Sequence, residues 1–171
     1  VFEDSPVESF DTLLLAGGHN NYWNYNNNDT QRTRALYVRD QYMANLQNLV
    51  GGRSHHGRFV HVYLNGLYWG LYFIHERPDA NFMASYYGGE STDYDVFKHD
   101  SAQVVDGSSA SYTAMWSTIN AGLANNANYQ SLQNQLDVPG LVDYLLINFW
   151  ANNTDWDHKN LYASHRKGGQ W

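Results

Sequence analysis

The residues with most to offer chemically lie together near the end of the chain, in Asn152-Asn153-Thr154-Asp155-Trp156-Asp157-His158-Lys159-Asn160. Four residues separate Asp155 from Asn160. Phosphoryl transfer uses that spacing: the Asp accepts the proton of an attacking hydroxyl, and the Asn puts an oxygen on a divalent metal ion. Such a reaction asks for a base or positioning group, oxygen ligands for Mg²⁺, and cations on the phosphates. Asp155 and Asn160 would supply the first two from one loop. Asp157 is an alternative base, or orients the loop, and His158 and Lys159 could contact phosphate. The chain has only three lysines, Lys98, Lys159 and Lys167. That scarcity makes Lys98, at the end of a strand-like run, the best candidate for a further phosphate contact, although a strand-end lysine is usually just solvated.

Other chemistries fit less well. Asp155, Asp157 and Lys159 fall at positions one, three and five of a calcium-loop register, but lysine at the fifth place and no glycine at the sixth argue against it. The eight histidines form no His-Glu-x-x-His pattern, so a zinc hydrolase is not indicated. Zero cysteines remove disulfides, thiolate catalysis and Cys-ligated zinc together. Read blandly, Asp155 is a capping or turn residue in a polar loop.

The elements around the loop give it context. It follows the most continuously apolar run of the chain, Leu141 to Trp150, read as a buried helix capped by Asp137 with Pro139 in its first turn. It precedes a strand-like run, Leu161 to His165, that opens a hairpin. Further back, Arg58 to Glu76 holds two β-rich runs flanking Asn65-Gly66, the preferred pair for a type I′ turn. Gly70 interrupts the second run and suggests a bulge or a close backbone approach. Phe10 to Ala16 reads as a short strand. His19 to Asp29, rich in Asn with interleaved aromatics, reads as a polar surface loop pinned by aromatic packing, with stacking on sugar as the alternative. From Thr30 a helical period puts Ala35, Val38, Tyr42, Leu46 and Leu49 on one face, stopped by Gly51-Gly52. Asp79 caps a helix through about Tyr87, and Asp93 to Lys98 is another strand. Beyond Gly107 the pattern is helical, with a stripe of Tyr112, Met115, Trp116, Ile119 and Leu123, then Tyr129, Leu132 and Leu136. Strands first and helices later make an α+β chain of two unequal lobes, 1–107 and 108–171.

At 171 residues one domain can bury a real core, and 43% hydrophobic content is ordinary. The 14 Tyr and 6 Trp are not. A net charge of −7 argues against a nucleic-acid partner. No run of 18 apolar residues is present, so no membrane span is expected. The Asn, Tyr, Trp and Ser content with few lysines suits a secreted bacterial protein.

Taken as a set, these segments make the chain recognisable. It resembles the CotH family of secreted and spore-coat kinases over nearly its whole length. The resemblance rests on Phe10 to Gly18, on Val38-Arg39-Asp40-Gln41-Tyr42, and on the hairpin Val62 to Tyr72 with its Asn-Gly and Tyr-Trp-Gly. It continues through Glu76-Arg77-Pro78-Asp79, Asp93 to Lys98, and Asn153 to Asn160. The resemblance implies an atypical protein-kinase-like fold that uses ATP with Mg²⁺ or Mn²⁺ to phosphorylate a protein Ser or Thr, outside the cytoplasm or on a spore surface. It implies Asp155 as catalytic aspartate and Asn160 as the metal-side asparagine. Lys98 would reach the nucleotide phosphates, with Glu76 or Arg77 as its support. The family's later metal-binding Asp, in an Asp-x-Asp segment after the hairpin, is expected just beyond Trp171, so the domain is read as incomplete at its C-terminus. The rival expectation is a carbohydrate- or surface-protein-binding module that kept this scaffold without the chemistry. Association with a cell surface or polysaccharide through flanking domains fits either reading.

Overall fold

Asn65 and Gly66 both adopt positive φ, 50° and 80°, as a two-residue type I′ turn requires. They join β2 (Gly57–Leu64) to β3 (Leu67–Glu76), and β1 (Leu13–Ala16) pairs with the other edge of β3, giving an antiparallel sheet ordered β1-β3-β2. Pairing shifts between Val62 and Tyr63, which oppose Gly70 and Tyr68, so Trp69 is the extra residue of a bulge. Gly70 itself sits at φ 145°, a conformation that favours glycine. The bulge expected from the sequence is therefore present, and it lies at the Tyr-Trp-Gly segment.

The computed structural model describes residues 1–18, 22, 33–99, 103–156 and 159–171. The chain divides into two compact units, Val1–Arg77 and Pro78–Trp171. Among the described residues there are two three-stranded antiparallel sheets and five α-helices, a mixed chain of α+β type. The division falls where Pro78 ends the β3 segment; position 107/108, the lobe boundary read from the pattern, lies inside the second unit.

In the first unit, α1 spans Arg39–Leu49, after a helical turn at Thr33 and Arg34; the helix start expected at Thr30 lies outside the described residues. Its expected apolar face is not its buried face: Val38, Tyr42 and Leu49 are exposed and Ala44 is buried. The inward residues are amides, and they work on the backbone. Gln47 Nε2 donates to the Arg53 carbonyl at 3.1 Å, and Asn48 Oδ1 accepts from the Ser54 amide at 2.7 Å. Backbone groups that no sheet or helix satisfies need such partners, and that need overrides the apolar period here. Phe59 and Phe73 meet across the β2–β3 pair at 5.2 Å. The Asn-rich stretch 19–29 lies outside the described residues except for Tyr22.

The second unit is built on β4 (Tyr94–Lys98), central in a sheet ordered β5-β4-β6 with β5 (Val104–Asp106) and β6 (Tyr162–Arg166). Tyr94, Asp95, Val96 and Phe97 are all buried, without alternation, as in a strand covered on both faces. Tyr94 and Val96 pack with Ala80 and with Met83 and Ala84 of α2 (Ala80–Tyr87). Asp79 caps α2 as expected, accepting from the Phe82 amide at 3.0 Å, and Gly88 ends it at φ 77°. On the opposite face Phe97 meets Tyr112 of α3 (Ala110–Asn120) at 4.6 Å and Trp171 at 5.1 Å. The α3 stripe is core only in part, since Met115 is buried and Trp116 exposed. After α4 (Asn126–Gln133), Asp137 caps α5 (Val138–Trp150) through the Gly140 amide at 3.1 Å, with Pro139 in the first turn.

The reading of α5 as a buried helix is corrected. Ile147 and Asn148 are its buried residues, while Leu146, Phe149 and Trp150 are 58%, 67% and 69% exposed. An all-round apolar sequence shows that burial is possible; it does not say how many neighbours the fold places against the helix.

Candidate active site

The Asp155–Asn160 loop is set by the end of α5. The Asn153 amide donates to the Asn148 carbonyl at 3.0 Å, and Asn153 Nδ2 donates to Asn148 Oδ1 at 2.8 Å. Asn148, only 4% exposed, is fixed in turn by donating to the Tyr144 carbonyl at 2.9 Å. Asn153 Oδ1 then accepts the Asp155 amide at 3.2 Å, an Asx-type bond that starts the loop. Trp156 closes down edge-on against Tyr144 and Phe149, with centroids at 5.5 and 5.9 Å. Burial raises the Tyr144 phenol above its ordinary value, against a smaller opposing effect from Asn148. A buried amide in an apolar helix thus anchors a polar loop.

The structure brings Asp155 and Asn160 together. Asn160 Nδ2 donates to the Asp155 carbonyl at 2.8 Å and to Asp155 Oδ2 at 3.2 Å. Asn160 holds φ 58°, a left-handed conformation that Asn tolerates better than most residues. Lys159 Nζ lies 2.6 Å from Asp155 Oδ1, with the Asp155 side chain 56% exposed. The carboxylate, carrying a lysine and an amide, is open to solvent. Asp157 and His158 lie outside the described residues.

Lys98 belongs to the same end of the second unit. It pairs with Tyr162 in the β4–β6 register, and its Nζ stands 5.8 Å from the Tyr162 ring. The next residue ties this strand end to the loop: His99 Nδ1 accepts the Asn160 amide at 2.8 Å, and the His99 amide donates to the Leu161 carbonyl at 2.9 Å. His99 was not singled out from the sequence, because nothing in its neighbours in the chain signals a contact made through the sheet.

Glu76 and Arg77 belong to the first unit. Glu76 is 3% exposed, and its Oε2 receives the His56 amide at 2.8 Å and meets His56 Nδ1 at 3.0 Å. The Arg77 amide donates to the Thr12 carbonyl at 3.3 Å. Glu76 thus bonds to His56 within its own unit.

A second buried polar cluster lies in the second unit. His165 Nε2 is 3.0 Å from Asp95 Oδ2 and 2.7 Å from Ser111 Oγ, and Asp95 Oδ1 also accepts the Ser108 amide at 2.8 Å. A Ser-His-Asp nucleophile needs the two partners on opposite ring nitrogens. Here both sit on Nε2, so the cluster ties β4, β6 and α3 together and does not activate Ser111.

No group of three or more His, Cys, Asp or Glu that could hold a metal ion occurs among the described residues. Asp155 and Asn160 offer oxygen donors of the kind Mg²⁺ and Mn²⁺ take, and hard cations of this sort complete their shells with phosphate and water oxygens. The donor chemistry fits, as part of a shell.

An α+β chain with a paired Asp and Asn on a loop between an apolar helix and a strand is the class that fold and site define. Residues 6–171 match the family described as CotH kinase protein, and the chain belongs to that family. No curated protein and no solved structure matches it. No described helix is long and apolar enough to cross a membrane.

Proposed function

We propose that the protein transfers the γ-phosphoryl group of ATP to a Ser or Thr hydroxyl of a protein, on a kinase-like fold. The observation that carries this is the Asp155–Asn160 contact, at 2.8 and 3.2 Å, on an exposed loop joined by His99 to the strand that bears Lys98. The acceptor oxygen forms the new P–O bond, the bond to the β–γ bridging oxygen breaks, ADP leaves, and Asp155 takes the hydroxyl proton. A divalent metal ion bound through Asn160 would neutralise charge on the phosphates. Lys98 would steady them, with Glu76 or Arg77 as its support and Asp157 as a second candidate for the base. Family membership supports the kinase reading, and a secreted or spore-surface location goes with it as part of the same proposal.

The test is calorimetric titration of ATP with Mn²⁺ or Mg²⁺, paired with mass-spectrometric detection of phosphate on a Ser/Thr-containing protein. Metal-dependent binding and phosphorylation are expected. No heat with either metal, and no product, would overturn the reading.

One observation favours a second reading. Tyr63, Tyr68 and Trp69 are exposed beside the hairpin turn, with the two tyrosine rings 5.3 Å apart. Such a row suits a carbohydrate- or surface-binding module, and soluble glycans that bind without any ATP binding would select it.

A further inference from the structure

The first unit contains a cleft of about 160 Å³ that the phosphoryl-transfer reading does not use. An apolar cavity of about 150 Å³ takes up benzene, so a single ring or a branched head group fits a space of this size. Its walls are aromatic. The Tyr22 and Tyr37 rings stack at 4.4 Å, and Phe59 and Phe73 close the sheet side.

The polar side chains on the walls accept hydrogen bonds. Gln41 spends its Nε2 on Asn45 Oδ1, and its buried Oε1 has no partner. His75 Nδ1 lies 2.8 Å from the Glu76 carbonyl, an acceptor only, so the ring proton is on Nδ1 and Nε2 presents a lone pair. Burial holds His75 below its usual range, which keeps the ring neutral, against smaller opposing effects from that bond and from Asp40 and Glu76. The Tyr22 hydroxyl donates to the Leu71 carbonyl at 2.8 Å, which leaves its oxygen as an acceptor. Asp40 brings a carboxylate to the same lining. It also sits in the first turn of α1, where it answers the positive end of the helix, so that end does not call for an anionic ligand.

Aromatic faces attract cations, and acceptors paired with a carboxylate attract N–H donors. We propose that this cleft binds a small organic cation, an alkylammonium or guanidinium group placed against the Tyr22 and Tyr37 rings with its donors toward Gln41, His75 and Asp40. The site lies wholly within the first unit and stands independently of the Asp155 loop.

The test titrates n-butylammonium, methylguanidinium and choline chlorides into the full 171-residue chain, followed by aromatic NMR shifts. The small neutral alcohol tert-butanol and inorganic phosphate are run alongside as controls. Saturable millimolar binding of one or more of the cations is expected, with tert-butanol and phosphate silent. Asp40→Asn, an exposed change that keeps the helix start, should weaken binding about fivefold, as should Tyr37→Leu. Circular dichroism checks that both variants fold. Choline binding as well as the N–H cations would assign the affinity to the rings, and its failure beside them would assign it to the acceptors. The proposal is overturned if no cation saturates by about 100 mM. It also fails if tert-butanol or phosphate binds as well as the cations, or if both folded variants bind like the parent.

Discussion

Asp155 is the residue on which the proposed chemistry turns, and its exposure makes it easy to test. Its carboxylate is open, and the Asp155 side-chain oxygens meet Lys159 and Asn160 side chains on the same loop. Asp155→Asn is therefore expected to lower phosphoryl transfer by about a hundredfold or more while leaving the unfolding midpoint nearly unchanged. Turnover within a factor of a few of the parent would remove Asp155 from the mechanism. His55 makes the contrasting case, a buried group whose effect falls on stability. Burial, then the neighbouring His75 and His56, lowers it to about 3, and its Nε2 is buried without a partner. In the unfolded chain a histidine titrates near ~6.5. Between those values the unfolded chain binds a proton that the folded chain refuses, so stability rises with pH through the window. The slope reaches at most ~1.4 kcal/mol per pH unit from this group, and its effect is complete above pH ~6.5. Burial lowers His75 too, so its effect has the same sign. Urea midpoints measured from about pH 7 down to about pH 4.5 should fall, and His55→Phe should flatten the fall. At this scale the Asp-x4-Asn pair was legible because the spacing is local. The His99 and Asn148 contacts were not, since one reaches the loop through strand pairing and the other from inside a helix that reads as apolar.

Helices and strands divide on the same principle. The Asn65-Gly66 hairpin and the Asp79 and Asp137 caps are decided by residues a few positions apart, and the structure has them where the sequence puts them. The buried faces of α1 and α5 depend on what packs against them, and there the apolar pattern misled. In α1 the loop Arg53–Ser54 demands hydrogen-bond partners, so amides turn inward. In α5 the run is apolar on every side, and periodicity cannot choose a face. The α5 outcome separates two neighbouring residues sharply. Ile147→Ala removes buried methylenes and should cost about 2–4 kcal/mol, whereas Leu146→Ala changes a largely exposed position and should stay within about 0.5 kcal/mol. Urea unfolding with equal m-values reads the difference. Equal losses at both positions would show that the exposed face of α5 is covered in solution.

For the whole molecule, charge is the property that constrains nucleotide binding. Net charge is −7, and cations are few, with 10 Lys and Arg against 17 Asp and Glu. ATP is strongly anionic, and Lys159, the lysine nearest the proposed base, is already engaged with Asp155. Lys98 alone is a weak counterion at a strand end, so the divalent metal ion must carry most of the charge compensation in the proposed complex. Two consequences separate this from binding on a basic patch. Removing the metal with EDTA should abolish ATP binding rather than weaken it a few-fold. Raising monovalent salt from about 50 to about 300 mM should leave the affinity for the metal–ATP complex flat or slightly improved, because the field being screened is repulsive. Calorimetry across that range decides it. An affinity that falls about tenfold with salt and survives EDTA would mean that a cluster of basic side chains, not a metal held by Asn160, binds the nucleotide.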